Sequence, residues 1–267
     1  DSEWYGKCIL PRRAFEGPHA VCSSPAQLLK VALFISQEAY ANGRLCDQYI
    51  EQLADVFHRL GWRGADIVHK NLSDGLILDR IEDIKRLIIG EAGPAYVFIF
   101  ISAHGVTYNY GHTAHVLPPS RFGCGLHASE IRQRLSSVRS NLHVIIALNT
   151  CRLPAPWGVA CLLSSMVPIC RRPCCRRGLH ARHPQTFCIV SACAPDHAAR
   201  EQILTRAFLE LLQACNGPIH WQQLLRTDLT LKVQELNCVE EQVPEITGQL
   251  PPDEPATPSQ AYQPNQV

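Results

Sequence analysis

The chain has 267 residues, 46% of them apolar and 18% charged, and a formal net charge of +1. That length and apolar content suit one large domain or two small ones with a sizeable core, and the near-neutral charge does not single out nucleic acid as a partner. No run of about 18 apolar residues occurs, so no membrane partner is expected.

Thirteen cysteines is a high count. The chain is too long for a small disulfide scaffold, and Cys46, Cys161, Cys188, Cys193 and Cys215 are scattered singly through apolar patterns. They read as buried thiols of a cytoplasmic or nuclear, reducing compartment. The chain opens on Asp1 and holds a single methionine, Met166, so it reads as a fragment or processed chain whose flanking segments are missing.

Residues 1–28, with Pro11, Pro18 and Pro25, read as an irregular N-terminal extension. LKVALFI (29–35) is a short apolar run, hence a buried strand. From Cys46 to Leu60 the apolar positions Cys46, Ile50, Leu53, Phe57 and Leu60 are spaced by four and three, which makes one helical face, and Gly61 supplies the stop. ADIVHK (65–70) is a second strand. LILDRIEDIKRLII (76–89) is helical with Ile77, Ile81, Ile84 and Ile88 on one side. AYVFIFIS (95–102) is apolar almost throughout, as a parallel strand covered on both faces must be. Residues 129–138 form a helix and HVIIAL (143–148) the next strand. This alternation of strand and helix predicts a three-layer α/β sandwich with a mostly parallel central sheet.

The pattern lapses over 152–185, which holds five prolines and the run CRRPCCRRGLHARH and reads as a basic linker loop. TFCIVSAC (186–193) resumes as a strand, followed by helices at 201–215 and 219–236. From 249 onward Pro, Gln and Ser dominate, the composition of a disordered tail. The chain thus divides into 1–28, 29–151, 152–185, 186–248 and 249–267.

In an open parallel sheet, ligands bind beyond the carboxyl ends of the strands. The two most apolar strands leave as ISAHGV and LNTCR, which deliver His104, Gly105 and Cys151 to that edge. If the strands are neighbours, an imidazole and a thiol meet there. A thiol is mostly protonated at neutral pH, and an imidazole can take its proton and pass it to a leaving amine. The N–H groups of Gly105 and Cys151 would then hold the oxyanion of an acyl intermediate.

These residues resemble the caspase-like cysteine peptidases, the group that includes caspases, metacaspases and paracaspases. SAHG resembles the family's His-Gly motif and NTCR its Cys motif, with His104 preceding Cys151 by 47 residues; in caspases the His lies about 50 residues upstream. KVALFI with LADVFHRLGW resembles the opening strand and helix, SACAPDHAAREQ with TRAFLELL the start of the small-subunit region, and VEEQVPEITGQL a Gln-x-Pro segment near its end. The resemblance spans about 29–250. It implies the same sandwich fold, a protein or peptide substrate, His104 as general base and Cys151 as nucleophile. It makes 29–151 large-subunit-like and 186–248 small-subunit-like, separated by a loop where many members cut themselves.

Metacaspases and paracaspases carry Asp two residues before the Cys, where it helps bind a basic P1 side chain; here that residue is Asn149, a hydrogen-bonding amide without charge. Asn149, Asp196 and Glu201 are therefore the substrate-binding candidates, and Asp196 and Glu201 also suit a helix N-terminus. With a basic P1, Arg171, Arg172, Arg176 and Arg177 become self-cleavage candidates.

Other readings of the same residues stay open. Cys170, Cys174, Cys175, His180 and His183 are compactly spaced for zinc but match no standard finger, so no metal is assigned. The arginines of the loop lack interleaved aromatics, which disfavours nucleic acid. His112 and His115 rival His104 only from a Gly- and Tyr-rich loop. No cofactor is read; calcium activation occurs in metacaspases, but no calcium loop is legible here. A homodimer is allowed. The competing function is a catalytically silent caspase-like interaction module, and a redox-sensing thiol protein is a third, weakened by the lack of a Cys-x-x-Cys pair.

Overall fold

The computed structural model describes residues 28–40, 43–44, 47–91, 93–107, 115–116, 126–136, 138, 141–150, 153–154, 185–194, 199, 202–215, 217–237 and 242–255. Its centre is a six-stranded sheet. In chain order the strands are β1 (Leu29–Ser36), β4 (Val68–Lys70), β5 (Ala95–Ser102), β9 (Leu142–Asn149), β11 (Thr186–Ser191) and β12 (Glu245–Gly248), arranged β12-β11-β9-β5-β1-β4. All neighbours run parallel except β11 and β12.

β5 and β9 carry eight buried residues each, with no exposed position. Their unbroken apolar sequence follows from cover on both faces, since alternate side chains enter different cores. One core takes Phe34, Phe98, Phe100, Ile145, Ala147 and Val190 against helices α1 (Ile50–Arg59), α4 (Ile203–Gln213), α5 (Trp221–Gln223) and α6 (Leu229–Leu236). The other takes Val97, Ile99, Ile101, Val144, Ile146 and Leu148 against α2 (Asp74–Ile89) and α3 (Ala128–Leu135). The architecture is the expected three-layer sandwich. Aromatic rings dominate the first core: Phe57 stacks on Phe98 at 4.4 Å, and Trp62 meets Trp221 edge-on at 5.9 Å.

The helix faces match the sequence reading. Leu53, Phe57 and Ile50 are buried on α1, and Ile77, Ile81, Ile84 and Ile88 on α2. Gly61 takes a φ of 80° where α1 stops, a conformation that glycine adopts without a Cβ clash. α2 begins on Ser73, whose hydroxyl accepts from the Leu76 N–H at 3.4 Å. The 219–236 helix is interrupted by a π-helical turn at Leu224–Asp228, which no periodicity in the sequence announces.

Two features differ from the expected elements. A second, four-stranded sheet joins β6 (Gly105–Thr107), β7 (His115–Val116), β8 (Leu126–His127) and β10 (Leu153–Pro154) in the order β10-β6-β7-β8; a two-stranded hairpin pairs β2 (Ala39–Tyr40) with β3 (Gly43–Arg44). Strands of two or three residues leave too little pattern to read. Residues 250–255, assigned by composition to a disordered tail, are instead packed: Pro251 and Glu254 are buried, and the Tyr96 hydroxyl donates to the carbonyls of Pro252 and Asp253 at 3.2 and 3.1 Å. Residues 1–27 and 256–267 lie outside the described residues, as does nearly all of the 152–185 segment. Among the described residues, no helix is long and apolar enough to cross a membrane.

Candidate active site

β5 and β9 are neighbours, in register from Ala95 opposite Leu142 to Ser102 opposite Asn149. Past that pair the Ala103 N–H donates to the Asn149 carbonyl at 3.2 Å, so the two exits stay together. Beyond the exits the chains pair again. β6 and β10 run parallel, with Val106 opposite Leu153 and Thr107 opposite Pro154. The offset of 47 residues between Ser102 and Asn149 is thus the offset between Val106 and Leu153, and also that between His104 and Cys151.

His104 is half-buried between these two pairings, and Gly105 is buried at the start of β6. His115 lies on β7 in the next strand over, opposite Val106. Cys151, Asp196, Glu201, Arg171, Arg172, Arg176, Arg177 and His112 lie outside the described residues, and so do Cys170, Cys174, Cys175, His180 and His183. Among the described residues no three His, Cys, Asp or Glu side chains converge as a metal site would require.

Asn149 is described, and it is 4% exposed. Its amide does not stand alone. The two protons of Nδ2 are shared among Asp47 Oδ2 at 3.1 Å, Ser102 Oγ at 3.2 Å and Thr205 Oγ1 at 3.2 Å. Thr205 in turn donates to Asp47 Oδ2, and the Tyr49 N–H donates to Asp47 Oδ1 at 3.2 Å. Four segments meet here: the lead-in to α1 with Asp47, the β5 exit with Ser102, the β9 exit with Asn149 and the first turn of α4 with Thr205.

Asp47 is 4% exposed, and among the described residues no cation pairs with it. Burial pushes its carboxyl above the ordinary carboxylate range; hydrogen bonds from Thr205, Ser102, the Tyr49 peptide and Asn149 pull the other way. Each described polar partner donates to it, which is the arrangement an ionised carboxylate requires. A buried charge is costly unless it is paired or hydrogen-bonded, and here the described donors supply the hydrogen bonds.

The sequence reading did not single out Asp47. Its local signal is that of any acidic residue ahead of a helix, where a carboxylate caps backbone N–H groups as Asp47 does for Tyr49. Only the fold brings Thr205, 158 residues away, onto the same oxygen.

Two of the three described thiols are poorly suited to chemistry. Cys188 is a free thiol fully buried in the core, and burial pushes its pKa up to about 12. Cys215 is a free thiol on α4's C-terminal side, also pushed up by burial. Both behave as apolar packing groups. A cavity of about 610 Å³ lies elsewhere beside β12, and its described lining, Arg226, Ile246, Gly248, Gln249 and Leu250, includes no nucleophile.

A crystal structure of caspase-1 from Spodoptera frugiperda matches with a TM-score of 0.55 and 15% identity, covering 83% of this chain and 87% of that one. The fold is caspase-like. No family model matches the chain, and neither does any curated protein. Identity this low carries the fold and not the site.

Proposed function

We propose that this chain is a cysteine endopeptidase that cleaves protein or peptide substrates through His104 and Cys151, with preference for a basic P1 residue. The observation that carries the reading is the matched pairing on both sides of these two residues. Ser102 opposite Asn149 and Val106 opposite Leu153 are both 47 residues apart, which is also the separation of His104 from Cys151 in the sequence, and this supports the reading. The caspase-like fold agrees with it.

In this mechanism His104 takes the Cys151 proton, and the thiolate attacks the scissile carbonyl. The N–H groups of Gly105 and Cys151 receive the oxyanion. His104 protonates the leaving amine, leaving a thioester on Cys151. Water, activated by the same imidazole, then releases the acid and restores the thiol.

The basic P1 preference rests on Asp47. Asn149 contributes an amide and no charge, and Asp47 places a carboxylate against that amide. A P1 guanidinium or ammonium would supply a countercharge that no described residue gives Asp47. Asp196 and Glu201 remain further candidates for the same pocket. With such a specificity, Arg171, Arg172, Arg176 and Arg177 make the 152–185 segment a substrate of the enzyme itself.

The test uses the full chain beside its Cys151→Ala and His104→Ala variants, assayed on fluorogenic peptides that differ only at P1, with and without calcium. Cleavage after Arg or Lys, reduced to background in both variants, is the expected result. Electrophoresis of the same samples should show cuts after the 171–177 arginines in the parent chain only. Cleavage after Asp would remove the role given to Asp47. No cleavage of any peptide would leave a caspase-like interaction module in place of the enzyme.

A further inference from the structure

We propose that Thr205 is a positioning residue for the specificity pocket: its hydroxyl, held between the Asn149 amide and the Asp47 carboxylate, keeps that carboxylate ionised and oriented for a substrate cation. This rests on the basic P1 reading above and adds a residue, on a different element, through which the pocket's charge is set.

Thr205 is out of place as a packing residue. It lies in the first turn of α4, is fully buried, and has Leu204, Ala207 and Phe208 as buried neighbours on the same helix. A hydroxyl in such surroundings is costly unless it is bonded, and valine would fill the same volume without that cost. A threonine inside a helix commonly bonds back to its own backbone. This one donates to Asp47 Oδ2 and accepts from Asn149 Nδ2 at 3.2 Å. The hydroxyl therefore orients two pocket groups at once, and its one proton is directed to the carboxylate.

The described groups that face Asp47 are neutral: Ser102 from β5, Asn149 from β9, Thr205 from α4 and the peptide N–H of Tyr49. The adjacent cation on α4, Arg206, is turned to Glu210 at 2.7 Å. With no described cation to hold the charge, its ionisation depends on donors, and Thr205 leads them. Ser102 and Asn149 remain when Thr205 is lost, which is why the expected effect is a shift and not abolition.

The experiment is a carboxyl titration of Asp47 by carbon NMR in the full chain labelled at aspartate, with Asp47→Asn identifying the resonance. Thr205→Val removes the hydroxyl at constant volume, and Thr205→Ser restores it. In Thr205→Val the titration midpoint should move up by about one pH unit, a tenfold rise in proton affinity. Thr205→Ser should stay near the parent chain. In cleavage assays the acid limb for peptides with Arg at P1 should move up in parallel, while peptides with a neutral P1 respond little.

An unshifted Asp47 in a folded Thr205→Val protein overturns the proposal. So does a shifted Asp47 with an unchanged P1 preference, since Thr205 would then serve the fold alone. A parent chain that cleaves nothing rejects the peptidase reading and with it any pocket role; the titration would still show whether Thr205 sets the charge of Asp47.

Discussion

Under the proposed function, Asp47 opposes stability at neutral pH and serves substrate binding. Its pKa is raised by burial, so it binds a proton more tightly in the folded chain than in the unfolded one. The favourable contribution of such a group is complete below the unfolded pKa and is lost as the pH rises through the folded one. The parent chain should therefore gain stability as the pH falls from neutrality toward the ordinary carboxylate range. Asp47→Asn should lack that gain, be at least as stable as the parent at neutral pH, and lose about a hundredfold in kcat/KM for an Arg P1 substrate. Urea midpoints measured across pH, set beside peptide kinetics, check both halves. Parallel stability profiles for the two proteins would show that Asp47 is not a strained charge.

At the scale of elements, β12 depends on its last residue. Gly248 has a φ of 94°, and a Cβ there would stand 2.2 Å from the Phe187 carbonyl oxygen. Because Gly248 pairs with Cys188, that carbonyl belongs to the strand it must lie against. Gly61 has a comparable φ of 80°, yet nothing lies within 4 Å of its Cβ position. Gly61→Ala should cost about 1 kcal/mol, the conformational term alone. Gly248→Ala should cost about 2 kcal/mol or more and release the Glu245–Gly248 amides to hydrogen exchange before the rest of the sheet. Equal costs for the two substitutions would show that β12 yields without effort at this contact.

At the scale of the whole molecule, the segment 250–255 packs against the amino ends of β1 and β5. Glu254 is 6% exposed, pairs with Lys30 of β1 at 3.2 Å, and donates its N–H to the Ile219 carbonyl. Lys30 also donates to the Leu60 carbonyl at 2.7 Å and lies 5.8 Å from the Trp62 ring. This contact spans 224 residues and joins the first strand to the end of the described chain. Breaking it from one side leaves a buried charge alone. Lys30→Ala should cost about 3 kcal/mol, and adding Glu254→Gln should return part of that loss. Denaturation of the two single variants and the double variant gives the coupling; strict additivity would mean that the pair contributes nothing as a pair.

The sequence by itself determined the layers of this protein. β5 and β9 were legible because burial on both faces demands unbroken apolar runs, and α1 and α2 because burial on one face demands the helical spacing of Leu53 and Phe57 or of Ile81 and Ile84. The two runs end at Ser102 and Asn149, which the fold pairs side by side. Local pattern could not show that β10 pairs with β6, that residues 250–255 fold back onto Tyr96 and Lys30, or that Thr205 and Asn149 share an oxygen of Asp47. Each of these joins residues far apart in the chain through one or two contacts, and such contacts leave no periodicity to read. Apolar burial is written into many positions at once; a polar cluster is written into four, one on each of four segments, and only their meeting in the tertiary structure gives it meaning.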